Sequence, residues 1–227
     1  MILEMAVNKV CVVLGVGPGL GLAVAKKWAV EGFKVAACCR NLDKAKSYEN
    51  VHGNITGFSL DVTDESAVKE TVKNIETSLG PIHALVYNAG SGVWKTYDKI
   101  SVSEFNKCMS INATGLLMAA QQVTPFMLER GSGVIAITGA TASWRGKPFT
   151  AGFAPAKGAQ RMLAQSLARD LGPKNIHVFY AIVDGGIGKK DGMVDPDEIA
   201  QTYWDIAKQP KSCWTFEFEV RPSVENW

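Results

Sequence analysis

Lys9-Val10-Cys11-Val12-Val13-Leu14 runs directly into Gly15-Val16-Gly17-Pro18-Gly19-Leu20-Gly21, and that turn into Leu22-Ala23-Val24-Ala25-Lys26-Lys27-Trp28. The first run is apolar and β-branched, the second is rich in glycine, and the third carries small and apolar residues suited to a helix. Strand, glycine turn and helix start in that order make a cradle for a diphosphate. Glycines let the backbone turn tightly and come close to the ligand, while the unpaired N–H groups and the dipole of the helix N-terminus favour negative charge. The spacing of Gly15, Gly19 and Gly21 is G-x-x-x-G-x-G, which differs from the commoner G-x-G-x-x-G. Taken alone, that spacing also suits a strand-to-helix turn tuned for packing.

Outward from this stretch, short apolar runs alternate with longer amphipathic ones, the sequence form of repeated βαβ units. Strands are predicted over 9–14, 34–38, 55–60, 84–87, 133–138, 177–183 and 214–220, and helices near 20–31, 43–48, 64–79, 103–129, 152–171 and 196–208. Val12-Val13-Leu14 and Ala84-Leu85-Val86-Tyr87 are apolar throughout, as strands covered by helices on both faces can be. The expected fold is therefore α/β: a Rossmann-like doubly wound sheet of about seven parallel strands with helices on both faces. One domain is expected over 1–227, with 9–130 as the dinucleotide-binding half and 131–227 as a second half holding the reaction centre and a C-terminal edge strand. The loosest stretch, 184–196, is rich in Gly, Lys and Asp and reads as a loop beside the site.

Bulk composition narrows the class. The 227 residues are 47% hydrophobic and 20% charged with a net charge of +2, an ordinary globular balance that does not call for nucleic acid. No apolar run reaches the ~18 to 20 residues that span a bilayer. The N-terminal apolar stretch is broken by Glu4, Asn8 and Lys9, so neither signal peptide nor anchor is expected. The five cysteines, Cys11, Cys38, Cys39, Cys108 and Cys213, are odd in number and show no C-x-x-C spacing. They read as reduced thiols of a cytoplasmic protein with no metal site.

The glycine turn is joined by four further features: Asp61-Val62 after the third strand, Asn88-Ala89-Gly90 after the fourth, Asn112 in the next helix, and Phe153-x-x-x-Lys157. In order and spacing these resemble the short-chain dehydrogenase/reductase family across nearly the whole chain. The resemblance implies that Gly15, Gly19, Leu20 and Gly21 hold the dinucleotide, that Asp61 beside Val62 accepts from the adenine amino group, and that Asn88, Ala89 and Gly90 line the adenosine ribose. Asp61 has a second reading as a charge at a helix N-terminus, beside Asp64 and Glu65. The cofactor is decided at the end of the second strand, where a carboxylate would accept both ribose hydroxyls of NAD(H). Here Cys38-Cys39-Arg40-Asn41 offers no acid until Asp43, and an arginine fork suits a 2′-phosphate, so NADP(H) is expected over NAD(H).

The family's chemistry implies hydride transfer between a carbonyl or alcohol and the nicotinamide, with a tyrosine giving or taking the proton. A lysine four residues later lowers that tyrosine's pKa and holds the ribose, a serine polarises the substrate oxygen, and an asparagine seats a water. Lys157 and Asn112 match, but position 153 is Phe, and no other Tyr stands four residues before a Lys. Counting back from Phe153, the serine's place falls at Gly139 to Thr141, leaving Thr141, Ser143 or Thr138 to supply the hydroxyl. After the sixth strand, Asp184-Gly185-Gly186-Ile187-Gly188-Lys189 implies that Gly185 and Ile187 present backbone to the carboxamide, with Lys189 where the family has a hydroxyl. Little chain remains before the helix at Pro196 for a lid, so an open cleft is expected, walled by Trp94, Trp144, Phe149, Phe153 or Tyr203 for an apolar or ring-bearing substrate. Two functions follow: an NADP(H)-dependent oxidoreductase on a carbonyl or alcohol, weak or specialised for want of the tyrosine, or a catalytically inactive NADP(H)-binding sensor or scaffold. The resemblance also implies a homo-oligomer, dimer or tetramer, with no membrane partner.

Overall fold

The structure is a computed structural model that describes residues 9–225; Glu4 and Asn8, named above, lie outside the described residues. Seven strands, β1 (Val10–Leu14), β2 (Lys34–Cys39), β3 (Ile55–Ser59), β4 (Ile82–Tyr87), β5 (Gly133–Ala140), β6 (Ile176–Val183) and β7 (Glu217–Val220), form one parallel sheet in the order β3-β2-β1-β4-β5-β6-β7. The helices are α1 (Leu20–Val30), α2 (Leu42–Ser47), α3 (Glu65–Ser78), α4 (Val102–Met109), α5 (Gly115–Arg130), α6 (Phe153–Leu171) and α7 (Pro196–Ala207).

Because successive side chains of a strand point to opposite faces, β1 feeds two cores. Val10, Val12 and Leu14 join one with Val72 and Ile75 of α3, Leu116 and Val123 of α5, and Ala164 of α6. Cys11 and Val13 join the other, with Val24 and Trp28 of α1 and Ile199 and Tyr203 of α7. Burying one residue the size of Ile75 or Leu116 stabilises the fold by ~1.5 to 3 kcal/mol, and a sheet covered on both faces repeats that along every central strand. Strand order reverses between β1 and β4, so their C-terminal ends part and open a crevice where an α/β sheet takes its ligand.

Several boundaries depart from the sequence reading; β4, for one, begins at Ile82 rather than at 84. The helix predicted over 103–129 is interrupted by a π-turn at Ser110–Thr114. The Asn112 side-chain Nδ2 donates to the Cys108 carbonyl at 2.8 Å, the group four residues back that an α-helix would reserve for a backbone N–H, and the Tyr87 hydroxyl donates to the Ile111 carbonyl. Competing donors of this kind widen a helix locally. The start at Val102 is fixed by a capping box between Ser101 and Glu104. Strand β7 is shorter than 214–220 because Gln209 takes the preceding residues: its Oε1 accepts from Thr215 N at 2.7 Å and its carbonyl from Trp214 Nε1 at 3.0 Å. Strand β5 is longer, paired with β6 as far as Ala140. The 184–196 loop is tied by Val194 N to Gly186 O at 2.8 Å and Gly188 N to Val194 O at 3.0 Å.

Candidate active site

The glycines of the first turn divide into two kinds. A Cβ on Gly15, which has φ of +88°, would lie 2.5 Å from Ala89 Cα, and one on Gly21 would lie 2.6 Å from the Gly15 carbonyl oxygen. These two let β1, the Asn88-Ala89 turn and α1 close on one another. A Cβ on Gly17 or Gly19 would meet nothing within 4 Å; Gly17 lines the crevice, while Gly19 does not line it and is the N-cap of α1, beside the first N–H groups of that helix, which lack intrahelical acceptors. Asn88 locks the turn in place: its Nδ2 donates to Gly15 O at 2.9 Å, and its Oδ1 accepts from Thr138 Oγ1 at 3.0 Å, which in turn accepts from the Tyr203 hydroxyl at 3.0 Å.

Beside this turn lies a hollow of about 450 Å³ lined by Gly15, Gly17, Arg40, Lys44, Asp61 and Asn88 among others. Lys107 of α4 also reaches it, so three cations face one acid. Asp61 is not the cap of α3; Asp64 is, accepting from Ala67 N at 3.0 Å. The Asp61 carboxylate instead accepts from Thr63 N at 3.0 Å and Thr63 Oγ1 at 2.7 Å. Those bonds hold it below the ordinary carboxylate range, with help from Arg40. Val62 is buried and lines the same hollow. Asn41 Oδ1 is engaged in capping α2, where it accepts from Lys44 N at 2.9 Å, and the Leu20 side chain is packed in the core, so that residue can offer only backbone.

A second hollow of about 520 Å³ shares Asn88, Gly90 and Ser91 with the first, so the two are continuous. Trp94, Phe149 and Phe153 wall it: Trp94 has ring centroids 4.8 Å from Phe153 and 6.4 Å from Phe149. At its floor the Lys157 Nζ donates to Thr138 O at 2.9 Å and Gln160 Oε1 at 3.0 Å, and burial brings its pKa down to about 7. Asn112 is fully buried; its Nδ2 also donates to Ser91 O at 2.8 Å, while its Oδ1 has no protein partner. That oxygen and the Lys157 Nζ lie 3.4 and 3.6 Å from where a Gly90 Cβ would stand. Lys157 lines the second hollow whereas Asn112 lines neither, lying buried behind Gly90; its unpaired acceptor there suits an ordered water.

The cradle at the switch point, the cationic rim and the Lys157 amine together fit a dinucleotide. The family model for short chain dehydrogenase matches residues 9–189. The chain belongs to the short-chain dehydrogenase family. Among its relatives is the 2,3-dihydro-2,3-dihydroxybenzoate dehydrogenase of Bacillus subtilis, 32% identical over 173 residues, covering 74% of this chain and 66% of the relative. Among solved structures, a short-chain dehydrogenase from Rhodopseudomonas palustris is 35% identical with a TM-score of 0.87, covering 95% of this chain and 99% of the other. An alcohol dehydrogenase from the archaeon Thermococcus sibiricus, complexed with 5-hydroxy-NADP, is 25% identical with a TM-score of 0.87, covering 96% and 98%.

Within this short-chain dehydrogenase framework the other expected site residues fall as follows. Thr141 lines the second hollow, but its hydroxyl donates to Asp184 at 2.7 Å. Ser143 does not line it: the side chain sits against the buried Tyr180 hydroxyl, whose pKa is pushed up to about 12 by burial. Gly185 and Ile187 do line it. Trp144 faces a separate shallow hollow with Arg161 and Glu217. Tyr203 is fully buried among Phe179 and Phe218, so it cannot turn into the cleft as an acid. Lys189 pairs with Asp197 at 2.5 Å. The structure adds Gly17, Lys44 and Lys107 to the first hollow and Arg145, Lys147, Asp184 and Glu225 to the second. Lys44 stands four residues beyond Arg40, in the first turn of α2, and could have been read with it. Arg145 and Lys147 lie in an aperiodic connection that carries no such signal. Among the described residues no helix is long and apolar enough to cross a membrane, and no cluster of His, Cys, Asp and Glu could hold a metal ion.

Proposed function

We propose that this chain is an NADP(H)-dependent oxidoreductase acting on a carbonyl or alcohol, slow or specialised because Phe153 stands where the family resemblance calls for the tyrosine acid. The observation that carries the cofactor choice is the pairing of Arg40 and Lys44 on the first hollow, with neutral Cys39 where an acid would exclude a 2′-phosphate. The 5-hydroxy-NADP complex of the 25% identical alcohol dehydrogenase supports the same reading. Residues 9–130 would form the dinucleotide half and 131–227 the reaction half of one domain.

When bound, the dinucleotide supplies the hydride. Gly17, Gly19 and the α1 N-terminus would hold its diphosphate, Arg40 and Lys44 its 2′-phosphate, Asp61 its adenine end, and Lys157 the ribose hydroxyls, with Asn112 Oδ1 on an ordered water. Phe153 has no proton to exchange. The single proton of the Thr141 hydroxyl is committed to Asp184, which leaves it an acceptor rather than a donor to substrate. Lys157 spends two donors on Thr138 and Gln160; as an ammonium it keeps a third, and a pKa of about 7 suits proton exchange at neutral pH. Asn112 Oδ1 would seat the water that returns its proton. A positioned acid contributes ~10² to 10⁴ in rate, which is the handicap of Phe153.

A second reading, an inactive NADP(H)-binding sensor, is favoured by Phe153 itself. Titration with NADPH and NADH, followed by a carbonyl panel assayed with wild type and Phe153→Tyr, separates the two. The oxidoreductase predicts tighter NADPH binding, slow wild-type turnover and ~10² to 10⁴ faster turnover in Phe153→Tyr. Turnover only in Phe153→Tyr selects the sensor, and failure to bind either nucleotide refutes both.

A further inference from the structure

The second hollow has an apolar wall and a charged end, and the charged end is built from residues outside the family pattern. Thr150 shapes it: its Oγ1 accepts from Lys147 N and donates to Lys147 O, both at 2.8 Å. A bridge between Lys95 and Thr150 brings the Trp94 segment alongside. This tight turn sets Lys147, Phe149 and Trp94 on one cleft, with Arg145 beside them. Arg145 makes one long contact, Nη2 to Asp184 Oδ1 at 3.5 Å, and its guanidinium carbon lies 5.7 Å from the centroid of the Trp144 ring. No ion pair engages the Lys147 ammonium among the described residues.

Of the two acids on this cleft, Asp184 is already engaged. Asp184 is buried, already accepts from Thr141, and is paired with Arg221 at 3.4 Å as well as with Arg145. Glu225 stands over Gly185, its Oε2 3.3 Å from where a Cβ would be. Arg145 therefore keeps most of its five N–H donors for a ligand, in a fork that matches a carboxylate. Aromatic faces opposite favour a flat ring.

We propose that the cleft takes a ring-bearing carbonyl compound that also carries a carboxylate, with the ring against Trp94, Phe149 and Phe153 and the carboxylate on Arg145 and Lys147. This names the substrate class of the reading above and rests on it. Charge-assisted hydrogen bonds of this kind correspond to about tenfold or more in affinity.

The test is titration of the full chain with 4-formylbenzoate and with its methyl ester, followed by quenching of tryptophan fluorescence, with and without NADP(H). The acid is expected to bind about tenfold more tightly than the ester, and added salt should erode that preference. Lys147→Met and Arg145→Met should each remove most of the preference while leaving ester affinity in place; Arg145→Lys should restore part of it. Equal binding of acid and ester by wild type, no binding of either, or a preference that survives both Met substitutions overturns the proposal. Lys147 is exposed, so its substitution remains informative if Arg145→Met unsettles Asp184. NADPH titration reads the dinucleotide site separately, so failure there is distinguishable from failure here.

Discussion

Lys157→Met should change how stability varies with pH, and by an amount the structure sets. Lys157 is 5% exposed, and burial lowers its pKa from the ordinary 10.5 to about 7. Unfolding returns the amine to water, so between about pH 7 and 10.5 the unfolded chain holds more of this proton than the folded one. Stability therefore rises with pH across that window, by up to about 1.4 kcal/mol per pH unit. Well below pH 7 the amine is charged in both states and the full burial penalty is present; above 10.5 it is neutral in both and the penalty is gone. Cys11, Cys38, Tyr87 and Tyr203 act in the opposite sense. Burial raises them above their ordinary 9 to 10, so the unfolded state loses those protons first and stability falls at higher pH. The clean interval is pH 7 to 9, where Lys157, half ionised at the start, accounts for about 2 kcal/mol. Urea unfolding of nucleotide-free protein at pH 7, 8 and 9 reads this directly. Whatever the offset at pH 7, wild type should gain about 2 kcal/mol on Lys157→Met by pH 9, or about 4 to 8 °C in Tm for a chain of this size. Parallel curves for the two proteins would refute the idea that an ionisable amine is held in a dry floor.

Two further outcomes follow from the first hollow. Arg40→Asp replaces the guanidinium with a carboxylate, so NADPH affinity should fall by about 10- to 150-fold while NADH affinity holds or improves; nicotinamide fluorescence titration checks this, and an unchanged NADPH preference sinks the assignment. Gly21→Ala drives a Cβ to 2.6 Å from one backbone atom and 2.9 Å from another. It should destabilise the fold by about 1 to 3 kcal/mol in urea. Gly17→Ala points into open space, so it should leave stability within about 0.5 kcal/mol and weaken NADPH binding instead.

The parallel sheet and its switch point were legible because a strand buried on both faces must be apolar throughout, as Val10 to Leu14 are, and because a glycine turn before a helix has few structural uses. Asp61, Asn88 and Lys157 stand at intervals that survive as a linear pattern, and they line the two adjoining hollows, whereas Asn112 is buried and lines neither. The π-turn could not be read, since it depends on Asn112 taking the Cys108 carbonyl and on Tyr87, from another strand, reaching Ile111. Tyr203 and Trp144 looked like cleft aromatics because an aromatic residue near a loop gives no sign of the layer it joins; Tyr203 went to the α7 core.

The amino-acid order alone determined the layered α/β architecture, the place of the glycine turn between strand and helix, and the phenylalanine at position 153. These depend on local propensity, hydrophobic period and the identity of single residues. Only the folded chain decided which glycines pack and which face open space, that the Thr141 proton is spent on Asp184, and that Arg145 and Lys147 meet three aromatic rings on one cleft. Each of those depends on distances between elements far apart in the chain, and such distances are set by how the layers close around the sheet.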